Sequence, residues 1–335
     1  MVDVVSEIVT KFFLDTCRPR RPLRRHCAQA TELCAILASQ HPDNEAEANI
    51  VPLTTGSVAE FYIEPMLPYV GDVDIMFHFS TWLAMPRGHP PPTQLPAEFH
   101  NYVKVCEIVD SHLPGYVYLE LRYLLTECID DKYNYFEYDN GLYLTHHTYG
   151  HSENSIHGPA LLTNYLNISL GLLPVDNVHC VRCLSWPAEA ADWPSRHRNW
   201  PDSSTVDCVV SNGCDVVNVA HRQCREDEWM GKYQWRLSFS RAEIVLINSW
   251  LPVQQIVYHM LRFLLKSEQL IDSVDSSERV ISNYHIKTLV LWTCELKSKS
   301  WWTERLTVVR ICVELFHTLS DWLIDAWCIS STTVT

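Results

Sequence analysis

Two aspartates one residue apart, Asp72 and Asp74, lie in the alternating stretch Val70-Gly71-Asp72-Val73-Asp74-Ile75-Met76-Phe77. Successive side chains of a β-strand point to opposite faces. The pattern therefore predicts Asp72 and Asp74 on one face, with Val73, Ile75 and Phe77 packed on the other. Two carboxylates roughly 7 Å apart along a strand repel unless a positive charge lies between them. A divalent cation such as Mg²⁺ meets that need, because it takes hard oxygen ligands and bridges phosphates. Just upstream, Gly56-Ser57 precedes a short apolar run. Such a turn can bring backbone N–H groups and a hydroxyl up to a phosphate. Together these parts suggest metal-dependent nucleotidyl transfer. The alternative is a solvated strand face beside an ordinary turn.

Other residue types could also do chemistry. Asp176 stands in a second alternating run, Val175 to Val181, in apolar company where a carboxylate needs a reason. His146, His147, His151 and His157 fit no standard zinc spacing, and read as ordinary strand or loop histidines. Cys180-x-x-Cys183 has no second CxxC. Cys208, Cys214, His221 and Cys224 are a conceivable ligand set, but only the last two are tightly spaced, so no structural zinc is expected. Arg18, Arg20, Arg21, Arg24 and Arg25 place five arginines in eight positions. They are either a solvated joint between helices or a phosphate-backbone contact.

The chain around these residues has 335 of them, 47% hydrophobic and 20% charged, enough for a bilobal enzyme. The net charge of −14 repels nucleic acid as a whole, so any such contact needs a local basic patch. Thirteen cysteines, an odd number at irregular spacing, read as reduced core thiols. The acidic start Met1 to Glu7 resembles no signal peptide, and no apolar run reaches the ~20 residues of a membrane span. A cytoplasmic protein without a membrane contact is expected.

Residues 3–16 read as an amphipathic helix and 23–40 as a second. Short strands and turns follow to about residue 86, then a Pro-rich loop. Residues 97–125 mix helix and strand, and 133–157 are strands with loops. Trp186-Pro187, Trp193-Pro194 and Trp200-Pro201 punctuate a loop at an expected lobe boundary. From Trp235 the pattern is read as helical, with Ser240 capping a helix, Glu243 completing a capping box, and later helices at 257–268, 281–296 and 308–329. The expected architecture is α+β: a core lobe over 1–195 and a helical C-terminal lobe over 196–335.

Six motifs in order carry a resemblance: Gly56-Ser57, Asp72-x-Asp74, Gly158-Pro-Ala160, Val175-Asp176 with Trp186-Pro187 downstream, Trp235-Arg-Leu-Ser-Phe-Ser240, and Ser282-Asn-Tyr-His-Ile-Lys-Thr288. From about Leu33 to Trp302 the chain resembles cyclic GMP-AMP synthase and the cyclic GMP-AMP synthase-like receptors. These are grouped with the Mab-like developmental proteins in one nucleotidyltransferase superfamily. The resemblance implies a bilobal nucleotidyltransferase fold with an N-terminal spine helix, a twisted mixed sheet, a helical second lobe and an active site in the cleft. It implies Asp72, Asp74 and Asp176 as a triad holding two Mg²⁺ or Mn²⁺ ions, and Gly56 and Ser57 at the donor phosphates. It implies Arg236, Ser238 and Glu243 around the acceptor base, Arg262 and Asn283 near phosphates, and Tyr284 stacked on a base.

The sequence departs from the synthase in three places. Asp72 stands for a glutamate and Asn283 for a small hydroxyl residue. The zinc-binding insertion of the vertebrate synthase is absent, since residues 241–266 contain no cysteine. That insertion supports recognition of double-stranded DNA, so the resemblance turns toward double-stranded RNA as activating ligand, docking at Arg18–Arg25. The implied function is an innate-immune sensor. It would join ATP and GTP, or UTP, into a cyclic dinucleotide with mixed 2'-5'/3'-5' linkage, read by a STING-type receptor. The alternatives are a catalytically inactive Mab-like interaction protein, and a linear-oligonucleotide polymerase resembling oligoadenylate synthase.

Overall fold

Ile75 and Phe77 are buried, and so are Met76 and His78, which alternate with them. A strand buried on both faces must be central, and it is. The computed structural model describes residues 2–16, 50–60, 73–128, 132–138, 141–145, 156–157, 160–167, 171–221, 224, 229–268, 281–303 and 308–324. Within them, β1 (Ile50–Thr55), β2 (Val73–Pro86), β3 (Tyr102–Asp110), β4 (Tyr116–Glu127), β5 (Tyr133–Glu137), β6 (Ile156–His157), β7 (Ala160–Asn167), β8 (Gly171–Cys183), β9 (Cys214–Val217) and β10 (Gln234–Ser238) form one mixed sheet. The 97–125 region is thus strand, with β3 and β4 paired antiparallel along most of their length.

Six of these strands close on themselves. The order β2-β3-β4-β10-β9-β8 returns to β2, because β2 pairs β3 over its second half and β8 along most of its length, both in parallel. Each strand of the ring contributes to one buried cluster, including Ala84, Cys106, Val117, Trp235, Val216 and Val181. The ring is therefore a filled core. Closure also leaves its strands without bare edges. Two of the six, β9 and β10, follow residue 195, so the sheet draws on both sides of the division expected there.

The helices are α1 (Val2–Thr16), α2 (Gly56–Ala59), α3 (Ser203–Asn212), α4 (Trp229–Tyr233), α5 (Ser240–Asn248), α6 (Pro252–Ser267), α7 (Asn283–Leu296), α8 (Lys299–Thr303) and α9 (Val308–Ile324). The expected helix over 23–40 lies outside the described residues, as do the arginines at 18–25. Helices α3 and α5 to α9 share a second core that includes Ile247, Val257, Leu261, Leu289 and Ile311. Each such side chain removed from water is worth roughly 1.5–3 kcal/mol. The Trp-Pro loop seals the two cores together: the Trp186 ring lies 5.4 Å from both Trp193 and Phe239.

Two expectations around Trp235 need correction. Trp235-Arg-Leu-Ser is strand β10, paired with β4 and β9 on either side. A short apolar run reads equally as helix or strand, and here two waiting neighbours decide. Ser240 does not cap α5; the cap position is Phe239, without a side-chain bond, and the Ser240 hydroxyl lies 3.1 Å from that of Ser238. Helix α6 also starts earlier than expected, with Pro252 at its first position, where a missing N–H costs nothing.

Candidate functional site

Asp74 and Asp176 are register partners on the adjacent parallel strands β2 and β8. Paired residues point to the same face of a sheet, so two residues 102 positions apart in sequence put their carboxylates side by side. Thr55 is the partner of Asp74 on β1, and its hydroxyl donates to the Asp74 carbonyl at 3.4 Å. On the same face, Met76 and Cys180 belong to a small cluster with Val217, against which Leu53 and Val178 pack. Asp72 lies outside the described residues.

The turn after β1 fits closely over Asp74. Gly56 opens α2 with φ +61°, and a Cβ built on it would lie 1.8 Å from Asp74 Oδ2. A side chain at 56 would thus occupy the space of the carboxylate itself. The Ser57 side chain lies outside the described residues. The next residue after α2, Glu60, is buried and its N–H donates to the Gly56 carbonyl at 2.9 Å.

A cavity of about 500 Å³ is lined by Arg236, Leu237, Ser238, Phe239, Ser240, Glu243 and Tyr284, together with Pro114, Gly115 and Tyr116. Four of the residues singled out from sequence thus border one space. That volume falls within the range of small-molecule sites. Ser238 Oγ also reaches Met76 Sδ at 4.0 Å, so the cavity wall touches the face that carries Asp74 two residues earlier. Tyr284 is partly exposed, as a stacking ring requires.

The remaining predicted residues are placed differently. Arg262 is buried, donates from Nε to Asn283 Oδ1 at 3.4 Å, and stacks over the Tyr258 ring at 5.4 Å. Glu243 lines the cavity, but its Oε2 accepts from Lys287 Nζ at 2.8 Å. Lys287 also pairs with Glu60. Sequence reasoning missed both Lys287 and Glu60. The signal was a lysine beside Ile286, Leu289 and Val290, residues the fold buries, which asks for an acidic partner.

The same face of β2, four residues beyond Asp74, holds a buried histidine. Burial, with help from Arg241 and Arg182, pulls His78 down from 6.5 to about 4. The folded protein keeps this ring neutral, while the unfolded chain protonates it at the ordinary value. Stability from His78 is therefore complete above about pH 6.5 and is lost as pH falls toward 4, by up to about 3 kcal/mol. Urea midpoints across that window should fall for the wild type and fall less for His78→Phe. Equal slopes would remove His78 as the cause.

A central mixed sheet with adjacent acidic strands, a glycine turn over them and a helical second core defines the nucleotidyltransferase class. Residues 136–249 match the Mab-21 protein nucleotidyltransferase domain, and residues 253–328 match the Mab-21 protein HhH/H2TH-like domain. The chain belongs to the Mab-21 family, which shares its architecture with cyclic GMP-AMP synthase. The matched regions meet between α5 and α6, and the Asp176 strand, the cavity strand β10 and Glu243 fall in the first.

Proposed function

We propose that this protein joins two nucleoside triphosphates, ATP and GTP or UTP, into a cyclic dinucleotide with mixed 2'-5'/3'-5' linkage. The observation that carries this is the Asp74–Asp176 register pair under Gly56, on the sheet face whose Met76 meets Ser238 in the wall of the cavity that Arg236, Glu243 and Tyr284 also line. Two side-by-side carboxylates are hard oxygen donors of the kind Mg²⁺ or Mn²⁺ prefers, and like charges across a strand pair otherwise destabilise it. With Asp72, they would hold two such ions, which when bound acidify the attacking ribose hydroxyl and stabilise the leaving pyrophosphate.

The chain's own residues bind and orient. Gly56 leaves room for the Asp74 carboxylate against the turn, and the adjoining Ser57 would supply a hydroxyl to the donor phosphates, as the resemblance implies. Tyr284 offers a ring for base stacking, which tolerates either purine. Arg236 and Ser238 supply donors to base edges. Arg262, already fastened to Asn283, adds positive charge for the phosphates. We assign activation to double-stranded RNA at Arg18–Arg25, the cellular site to the cytoplasm, and the reader of the product to a STING-type receptor.

Labelled triphosphates with Mg²⁺ or Mn²⁺, with and without double-stranded RNA, test this directly. A phosphatase-resistant product formed only with RNA is expected. A linear product would mean an oligonucleotide polymerase. No product, with no triphosphate-dependent thermal shift, would leave an interaction protein.

A further inference from the structure

We infer that Lys287 is a positioning residue that ties the glycine turn over Asp74 to the wall of the cavity, an inference that rests on the proposed nucleotide site. Lys287 lies in α7 three residues after Tyr284, so one helix carries both the cavity's aromatic ring and this ammonium group. Its Nζ donates to Glu60 and, at 2.8 Å, to Glu243 Oε2. Glu60 ends the turn that Gly56 begins, through the bond from its N–H to the Gly56 carbonyl. Glu243 belongs to α5 and lines the cavity. A second bond, from Asn248 Nδ2 to the Ala59 carbonyl at 3.1 Å, holds α5 to the same turn.

These are three separate elements meeting at one largely buried cation. Burial pushes the Glu60 carboxyl up while Lys287 pulls it back. Burial acts against the Lys287 charge too, but its two carboxylates outweigh that and raise it well above the ordinary lysine value. Removing the ammonium would leave two carboxylates facing each other without compensation, which drives partners apart or takes up a proton. Either result moves the turn that shapes the Asp74 site and frees Glu243 within the cavity.

The test is calorimetric titration of the full chain with α,β-methylene-ATP and Mg²⁺, beside a urea midpoint for each variant. Lys287→Met should weaken binding about 10- to 100-fold, the range for groups that orient a binding site from behind. The exposed Lys299→Met should bind as the wild type does. Adding Glu60→Gln to Lys287→Met should return stability but not full affinity, because the turn keeps only its Asn248 bond and regains no tie to α7; the same double variant serves if the single one does not fold. A folded Lys287→Met or double variant with wild-type affinity would overturn the inference and leave Lys287 a structural ion pair. A wild type that binds no triphosphate would instead overturn the nucleotide site, and this inference with it.

Discussion

Asp74→Asn and Asp176→Asn should each lower nucleotide turnover on the order of 10³-fold, the scale for losing one charged group from a phosphoryl-transfer site. The same changes should not weaken the metal-free protein. The two carboxylates are register partners on neighbouring strands, where like charges cost roughly 0.2–1 kcal/mol. Neutralising one removes that repulsion, so the urea midpoint without metal should stay level or rise. Opposite movements of activity and stability mark a site held together at the expense of the fold. Unchanged turnover in both variants would end the catalytic proposal. A lower midpoint in both would mean that the aspartates serve the fold.

Gly56→Ala should be nearly as damaging to turnover and, unlike the aspartate changes, should also cost stability. One methyl group would sit 1.8 Å from Asp74 Oδ2, far inside contact distance. The backbone at φ +61° adds about 1 kcal/mol for a residue with a Cβ. Either the Asp74 carboxylate swings away or the turn lifts. Turnover should fall about 10²-fold, the effect of misplacing a reacting group by about 1 Å. Gly88→Ala is the control: its φ is also positive, but nothing lies within 4 Å of the added Cβ. It should show the backbone cost alone. If both glycine variants lose turnover equally, the contact with Asp74 is not the reason.

The parts of this site differ in how far sequence exposed them. The D-x-D spacing and Gly-Ser turn are local, and alternation along one strand was enough to suggest both. The partnership of Asp74 with Asp176 is not local. It depends on β8 joining β2 in a parallel register set by the whole ring, and a shift of one residue would turn Asp176 to the other face. The resemblance, not the spacing, named it. Trp235 to Ser238 was misread because four residues carry too little periodicity, and the strand exists because β4 and β9 bond to it. Glu243 reads as part of a capping box from its offset to Ser240, but a largely buried lysine two helices on offers the stronger partner. Lys287 itself was overlooked because its partners are 227 and 44 positions distant.

The ring has a bearing on how the polypeptide could be divided. Its last two members enter after the Trp-Pro loop, so a fragment ending at residue 195 would lack β9 and β10. Such a piece would present the unsatisfied amides of β4 and β8, together with the inner surface around Cys106 and Val181, to whatever protein it met next. Strands β4 and β10, and β8 and β9, are therefore interlocked by hydrogen bonding across that point rather than strung together, and the sheet that carries Asp74 and Asp176 can be inherited only whole.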